Sequence, residues 1–226
     1  MVHDFLYLVW KDPRERRNYI IGKLTRKEKY EFEYCGDYKE AKKAGWEHLQ
    51  AFHEEKKYES DTLFAVFEAR LPDPKRRDID EILRKYNLQE YDGFELLRKS
   101  TGRLPIDTYE FIDPIFPEEE TVEREFFIVG VRHYAKCKGE DCASFNQVEV
   151  GTELNLKREP DNQYDKYAVC VITCDGTKIG YIPRYYSESI FDRLKKGMTY
   201  SCYVVEKHSE KNCDCCVKVQ LKIPRE

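Results

Sequence analysis

The chain has no long apolar run. A membrane-spanning helix needs about 18 consecutive apolar residues. The longest stretch near the start, Phe5 to Trp10, is six residues and runs straight into Lys11, Asp12, Pro13 and Arg14. It is also too short for the apolar region of a secretory leader, about 7–15 residues after a basic start. A cytoplasmic protein with no membrane partner is therefore expected. Internal repeats and low-complexity tracts are missing too. The nine cysteines are an odd number, which argues against a closed disulfide framework. No Gly-x-Gly-x-x-Gly loop, Walker A loop or catalytic Asp/Mg²⁺ set is present, and this excludes the usual equipment for phosphoryl transfer. Spacing places no paired carboxylates and no Cys/His constellation, so hydrolase or nuclease chemistry has little support. The chain is not expected to be an enzyme.

What is present is a globular composition. Aromatics make up 14%, with 17 Tyr, far too many for a disordered chain. The length of 226 residues fits two modest domains, at about 100–200 residues each. Charge is uneven. Residues 1–125 carry 23 Lys and Arg against 29 Asp and Glu, a balance of −6, while 126–226 carry 16 against 14, a balance of +2. Nucleic-acid binders usually carry a basic face. The second half permits one weakly; the first half does not suggest one.

The first half reads as a small sheet followed by helices, an α+β domain. Phe5 to Trp10, Asn18 to Leu24 and the alternating Lys29 to Tyr34 are strand-like. Apolar spacing then predicts helices over 38–52, 62–70 with Asp61 as cap, 78–86, and 91–99 closed by Thr101-Gly102. Pro72-Asp73-Pro74 stops the second. Residues 113–123 read as a linker: two prolines and an acidic run leave little to bury. The texture then changes. Strands are expected at 126–131, 153–158, 168–174, 178–182, 200–205 and 217–223, with a hairpin turn at Asp175-Gly176. A helix from Ser187 to Lys195 precedes a Gly197 stop. Short strands at close spacing with one or two helices point to a small β-barrel.

Two segments of this second half are specific: Leu156-Lys157-Arg158-Glu159-Pro160-Asp161-Asn162-Gln163-Tyr164-Asp165-Lys166-Tyr167-Ala168-Val169 and Gly176-Thr177-Lys178-Ile179-Gly180-Tyr181-Ile182-Pro183-Arg184. With the opening Phe-x-x-x-Gly-Val-Arg-His-Tyr at 126–134, they resemble the HIRAN domain over residues 124–226. The resemblance implies an OB-like barrel of about six strands whose pocket captures the 3′-hydroxyl end of single-stranded DNA. Bases need aromatic faces, phosphates need Arg or Lys, and a terminal hydroxyl needs an acceptor. On that reading Tyr164 and Tyr181 are the faces, Asp165 is the acceptor, and Arg132 and Arg184 hold phosphates. Lys166 completes the basic side. His133 stands where helicase relatives carry a tyrosine, and Tyr134 is the candidate to take its place. Plain structural uses stay open: Asp165 as a turn cap, Tyr181 as half-buried filler.

Residues 1–112 resemble the N-terminal subdomain of HipA-type toxin kinases. The carriers are Gly22-Lys23-Leu24-Thr25, Lys29 to Tyr34, Leu63 to Phe67 with Leu71-Pro72-Asp73-Pro74 and Arg77, Asp92 to Leu97, and Thr101-Gly102. The kinase core and that family's Ser-Leu-Pro segment are missing. The resemblance implies a protein-interaction module, whose partner would be a HipA-type kinase or a DNA-processing enzyme. Hence the alternative to an end binder is an antitoxin-like regulator that restrains such a kinase, with the barrel as docking module. Cys137, Cys142, Cys213, Cys215 and Cys216 could hold a zinc ion if their loops meet; exposed thiols are the alternative. Cys170 and Cys202, set among Val, Ile and Tyr, read as core.

Overall fold

The computed structural model describes residues 4–134, 148–208 and 215–225. Its backbone contacts divide into two units, Met1–Pro114 and Ile115–Glu226. Both mix helices with antiparallel sheets, and among the described residues no helix is long and apolar enough to cross a membrane.

The first unit is a five-stranded antiparallel sheet. Its strands are β1 (Phe5–Lys11), β2 (Asn18–Arg26), β3 (Tyr30–Tyr34), β4 (Tyr58–Ser60) and β5 (Tyr109–Ile112), in the order β4-β3-β2-β1-β5. Side chains alternate across a strand, so Leu6, Leu8 and Trp10 of β1 enter one core with Phe32, Phe67 and Phe94. Phe32 stacks on Phe52 at 4.4 Å between ring centres. A Cβ at Gly22 would lie 2.6 Å from the Phe32 ring. The Gly22-Lys23 pair is thus a packing device beneath an aromatic ring.

The helices are shorter than their apolar spacing predicts: α1 (Tyr38–Lys43), α2 (Ala65–Glu68), α3 (Ile79–Lys85) and α4 (Gly93–Ser100). Left-handed Gly45 (φ +95) follows α1, and Trp46, Leu49 and Phe52 reach the core from irregular backbone. Asp61 does not cap α2; Phe64 stands at that cap without a side-chain bond. Strands β4 and β5 were not expected. Each is four residues or fewer, too short for a periodic signal.

The second unit holds β6 (Val122–Phe127), α5 (Val131–Tyr134), β7 (Asn155–Arg158), β8 (Val169–Ile172), β9 (Lys178–Tyr181), α6 (Arg184–Lys195), β10 (Ser201–Lys207) and β11 (Val217–Ile223). They form two three-stranded antiparallel sheets, β10-β11-β6 and β7-β8-β9. Single bridges join the sheets at both edges, Val129 with Tyr181 and Glu153 with Tyr203. The turn between β8 and β9 carries Gly176 at φ +87, as the Asp-Gly pair predicts. Ile128, Val169, Val171, Cys202, Val217 and Leu221 have no exposed surface and form the core of this unit. Cys170 and Cys202 are core, as expected, and burial pushes the Cys202 thiol up to about 12. Within residues 113–123, Ile115 and Glu119 are buried.

Candidate nucleic-acid interface

One turn and one helix start make the site. Pro183 ends β9's exit and opens α6, so Arg184 stands at the first helical position. Opposite it runs the turn between β7 and β8. Glu159 and Ala168 close its base, with the Glu159 N–H donating to the Ala168 carbonyl at 2.8 Å. Inside the turn, side chains hold the backbone. Asn162 Oδ1 accepts from the N–H groups of Tyr164 (2.9 Å) and Asp165 (3.2 Å). Asp165 Oδ1 accepts from the Tyr167 N–H at 2.9 Å. Such self-bonded turns suit Asn and Asp, whose short side chains reach the backbone two or three residues on.

These elements enclose a cleft of ≈ 350 Å³ lined by Tyr164, Asp165, Lys166, Tyr167, Arg184, Ser187 and Glu188. Four of the residues singled out in the sequence, Tyr164, Asp165, Lys166 and Arg184, therefore share one hollow. Tyr164 is 91% exposed, which leaves its ring accessible for stacking. Arg184 is exposed and makes no ion pair among the described residues. Lys166 carries its ammonium 4.6 Å from the centre of the Tyr167 ring.

The other candidates gather one step away, around Tyr181. Gly130 (φ +78) turns the chain from β6 into α5, where Arg132, His133 and Tyr134 are all exposed. Tyr134 packs edge-on against Tyr181, with ring centres 5.8 Å apart and hydroxyls 3.3 Å apart. A Cβ on Gly180 would lie 2.6 Å from the Val129 carbonyl. Only glycine lets the backbones approach closely enough for the Val129–Tyr181 bridge, so Gly180 is what brings Tyr181 beside Tyr134.

A polar cluster missed in the sequence ties the two groups together. Glu159 Oε1 accepts from Lys178 Nζ at 2.7 Å. Its Oε2 accepts from the Tyr181 hydroxyl at 2.8 Å and from Asn162 Nδ2 at 3.1 Å. Lys178 also donates to the Tyr181 hydroxyl and stands 4.1 Å from that ring's centre. The face of Tyr181 assigned to stacking is thus shared with an ammonium. Burial alone would push the Glu159 carboxyl up, but the bonds from Lys178, Tyr181 and Asn162 outweigh it and hold it down at about 2. Burial pushes Tyr181 up to about 12. Lys178 is held above its ordinary value because Glu159 and Tyr181 outweigh the lowering effect of burial. Glu159, Asn162 and Lys178 all stand inside the two motif segments. The sequence signal for them was a lone acid before Pro160 and a lone cation before Gly180.

Of the candidate metal ligands, Cys137, Cys142 and Cys213 lie outside the described residues. Cys215 is half-buried and Cys216 is buried among core residues. Among the described residues no group of three or more His, Cys, Asp or Glu is placed to hold a metal ion.

Residues 122–223, a little under half of the chain, match the family model of the HIRAN domain. Among solved structures, the HIRAN domain of human HLTF is 18% identical over 47% of this chain and 77% of that one, with a TM-score of 0.35. A protein from Lactobacillus plantarum is 24% identical over 46% of this chain and 96% of that one, with a TM-score of 0.36. No curated protein matches.

Proposed function

We propose that the second unit binds the 3′-hydroxyl end of single-stranded DNA in the cleft beside Arg184, and that the chain does so without catalysis. The observation that carries this reading is the cleft's membership: an exposed tyrosine, a carboxylate and an exposed guanidinium in one hollow. A terminal nucleotide offers matching groups: a base for Tyr164, a free hydroxyl for Asp165, and phosphates for Arg184 and Lys166. Asp165 spends Oδ1 on the Tyr167 N–H. Its Oδ2 accepts from no donor among the described residues and is the acceptor for the hydroxyl. Arg132 on α5 serves phosphates further from the end. The match of residues 122–223 to the HIRAN domain supports the reading. So do the two sheets bridged at both edges, which we read as an OB-like closed barrel. Residues 1–112 act in this proposal as a protein-interaction module.

Fluorescence anisotropy at about 100 mM salt tests it, with three probes: a 3′-hydroxyl single strand, the same strand ending in 3′-phosphate, and a blunt duplex. The 3′-hydroxyl strand should bind tightest, because a carboxylate accepts from a hydroxyl and repels a phosphate. Equal binding of the two single strands would overturn the proposal.

A further inference from the structure

We infer that Glu159 is the positioning residue of the cleft: it fixes the Asn162 side chain, and thereby the turn that presents Tyr164 and Asp165, while cancelling the charge of Lys178. The inference rests on the end-binding reading above.

The first half of the argument is orientational. A side-chain amide presents two donors at one end and an acceptor at the other, and the two ends are nearly the same shape. Asn162 holds the turn only when Oδ1 faces the N–H groups of Tyr164 and Asp165. An ionised carboxylate accepts and never donates. Glu159 Oε2, 3.1 Å from Asn162 Nδ2, therefore forces the NH₂ end toward itself and the oxygen toward the turn. The low pKa of Glu159, about 2, keeps that acceptor ionised at any working pH. The Tyr181 hydroxyl, bonded to the same oxygen, holds the carboxylate in place.

The second half is electrostatic. A lone ammonium beside a nucleic-acid site attracts every phosphate, internal or terminal, and dilutes a preference for ends. Lys178 lies 2.7 Å from Glu159 Oε1, so its charge is already matched. Arg184 makes no ion pair among the described residues and keeps its charge for the ligand. Glu159 thereby separates Lys178, a structural cation, from Arg184 and Lys166, which line the cleft and bind.

The test uses the full chain with Glu159→Gln, Glu159→Ala and Asn162→Ala, the 3′-hydroxyl and 3′-phosphate single strands, and a salt series. Glu159→Gln should lower the preference for the 3′-hydroxyl strand by about tenfold, the scale of one lost hydrogen bond. It should also release Lys178, tightening binding to the 3′-phosphate strand and steepening the salt dependence by about 0.7 in log–log slope. Asn162→Ala should lower the preference with no change of slope. A merely structural role for Glu159 would weaken both strands alike and leave the slope unchanged. That result overturns the inference, as does wild-type preference and slope in Glu159→Gln. Should Glu159→Ala fail to fold, the other two variants decide. If wild type itself shows no preference, the end-binding reading falls and this inference with it; preference in wild type that survives in Glu159→Gln and Asn162→Ala removes the inference alone.

Discussion

Asp165 serves two masters with one carboxylate, and its variants separate them. Oδ1 fastens the turn through the Tyr167 N–H, while Oδ2 faces the ligand in the proposed complex. Asp165→Ala should weaken 3′-hydroxyl strands about 10- to 150-fold, the worth of a charge-assisted hydrogen bond of about 1.5–3 kcal/mol, and weaken 3′-phosphate strands far less. Asp165→Asn keeps an acceptor for Tyr167 and should fall between. Arg184→Ala should weaken all single strands together and flatten the salt dependence by about 0.7 in slope. Anisotropy titrations at several salt concentrations read all three; an Asp165→Ala effect equal on both strands would remove the hydroxyl contact.

Glu159 also makes a pH statement at this scale. Its carboxyl is held at about 2 in the fold against an ordinary 4.5. A group with a depressed folded pKa stabilises fully above its unfolded value and loses that contribution as pH falls toward the folded one. Wild type should therefore lose stability between about pH 4.5 and 2, and Glu159→Gln should lose less across the same window. Urea unfolding at pH 6 and pH 3 measures this, and parallel losses in the two proteins would refute it. That Tyr164, Asp165 and Arg184 lie together was legible through the resemblance of the two motif segments to the HIRAN domain. Glu159, Asn162 and Lys178 were not, because their roles exist only once residues 159, 162 and 178–181 meet.

Elements obey local chemistry unevenly. Helix α4 was readable and is the best capped of the first unit. Asp92 accepts from the N–H groups of both Phe94 and Glu95 and also pairs with Arg26 at 2.5 Å. Asp92→Ala should cost about 1 kcal/mol, within the 0.5–2 range for a lost cap. Asp92→Asn, which keeps the cap and drops only a half-exposed ion pair, should cost less. Equal urea midpoints for the two variants would show that the ion pair, not the cap, does the stabilising. Helix α1 was over-read because Trp46, Leu49 and Phe52 keep a helical period after Gly45 has ended the helix. Periodicity records which residues face the core, whatever backbone brings them there. Strand β5 escaped notice for a different reason. Its partner β1 lies about a hundred residues earlier in the chain, with Trp10 opposite Tyr109, and no local signal encodes such a pairing.

At the scale of the whole chain, composition points to a break within residues 113–123, and contacts divide the chain inside that span, between Pro114 and Ile115. The acidic stretch that follows is bonded into the second unit by a buried arginine. Arg193 of α6 is 5% exposed. Its guanidinium donates to the carbonyls of Phe116 at 2.7 Å and Glu119 at 2.9 Å. Glu119 in turn accepts from the Phe116 N–H and pairs with Arg124 at 3.1 Å. A charge run reads as solvated when its partners lie some 74 residues away, and that is why composition alone cannot see this clasp. We expect the second unit to fold by itself when it keeps residues 115–123. A fragment of residues 115–226 should unfold cooperatively and bind single strands like the full chain. A fragment of 124–226 loses both of those acceptors and the Val122–Glu123 end of β6, and a hydrogen bond to a charged group is worth about 1.5–3 kcal/mol. That is a large share of the roughly 5–15 kcal/mol that holds a typical domain together. Its urea midpoint should fall well below that of the longer fragment or vanish. Arg193→Met in the longer fragment removes the buried charge while keeping much of the side chain's volume and the whole of β6, and should be milder than the truncation. Equal midpoints for the two fragments would show that residues 115–123 are dispensable and that the clasp does not stabilise the fold.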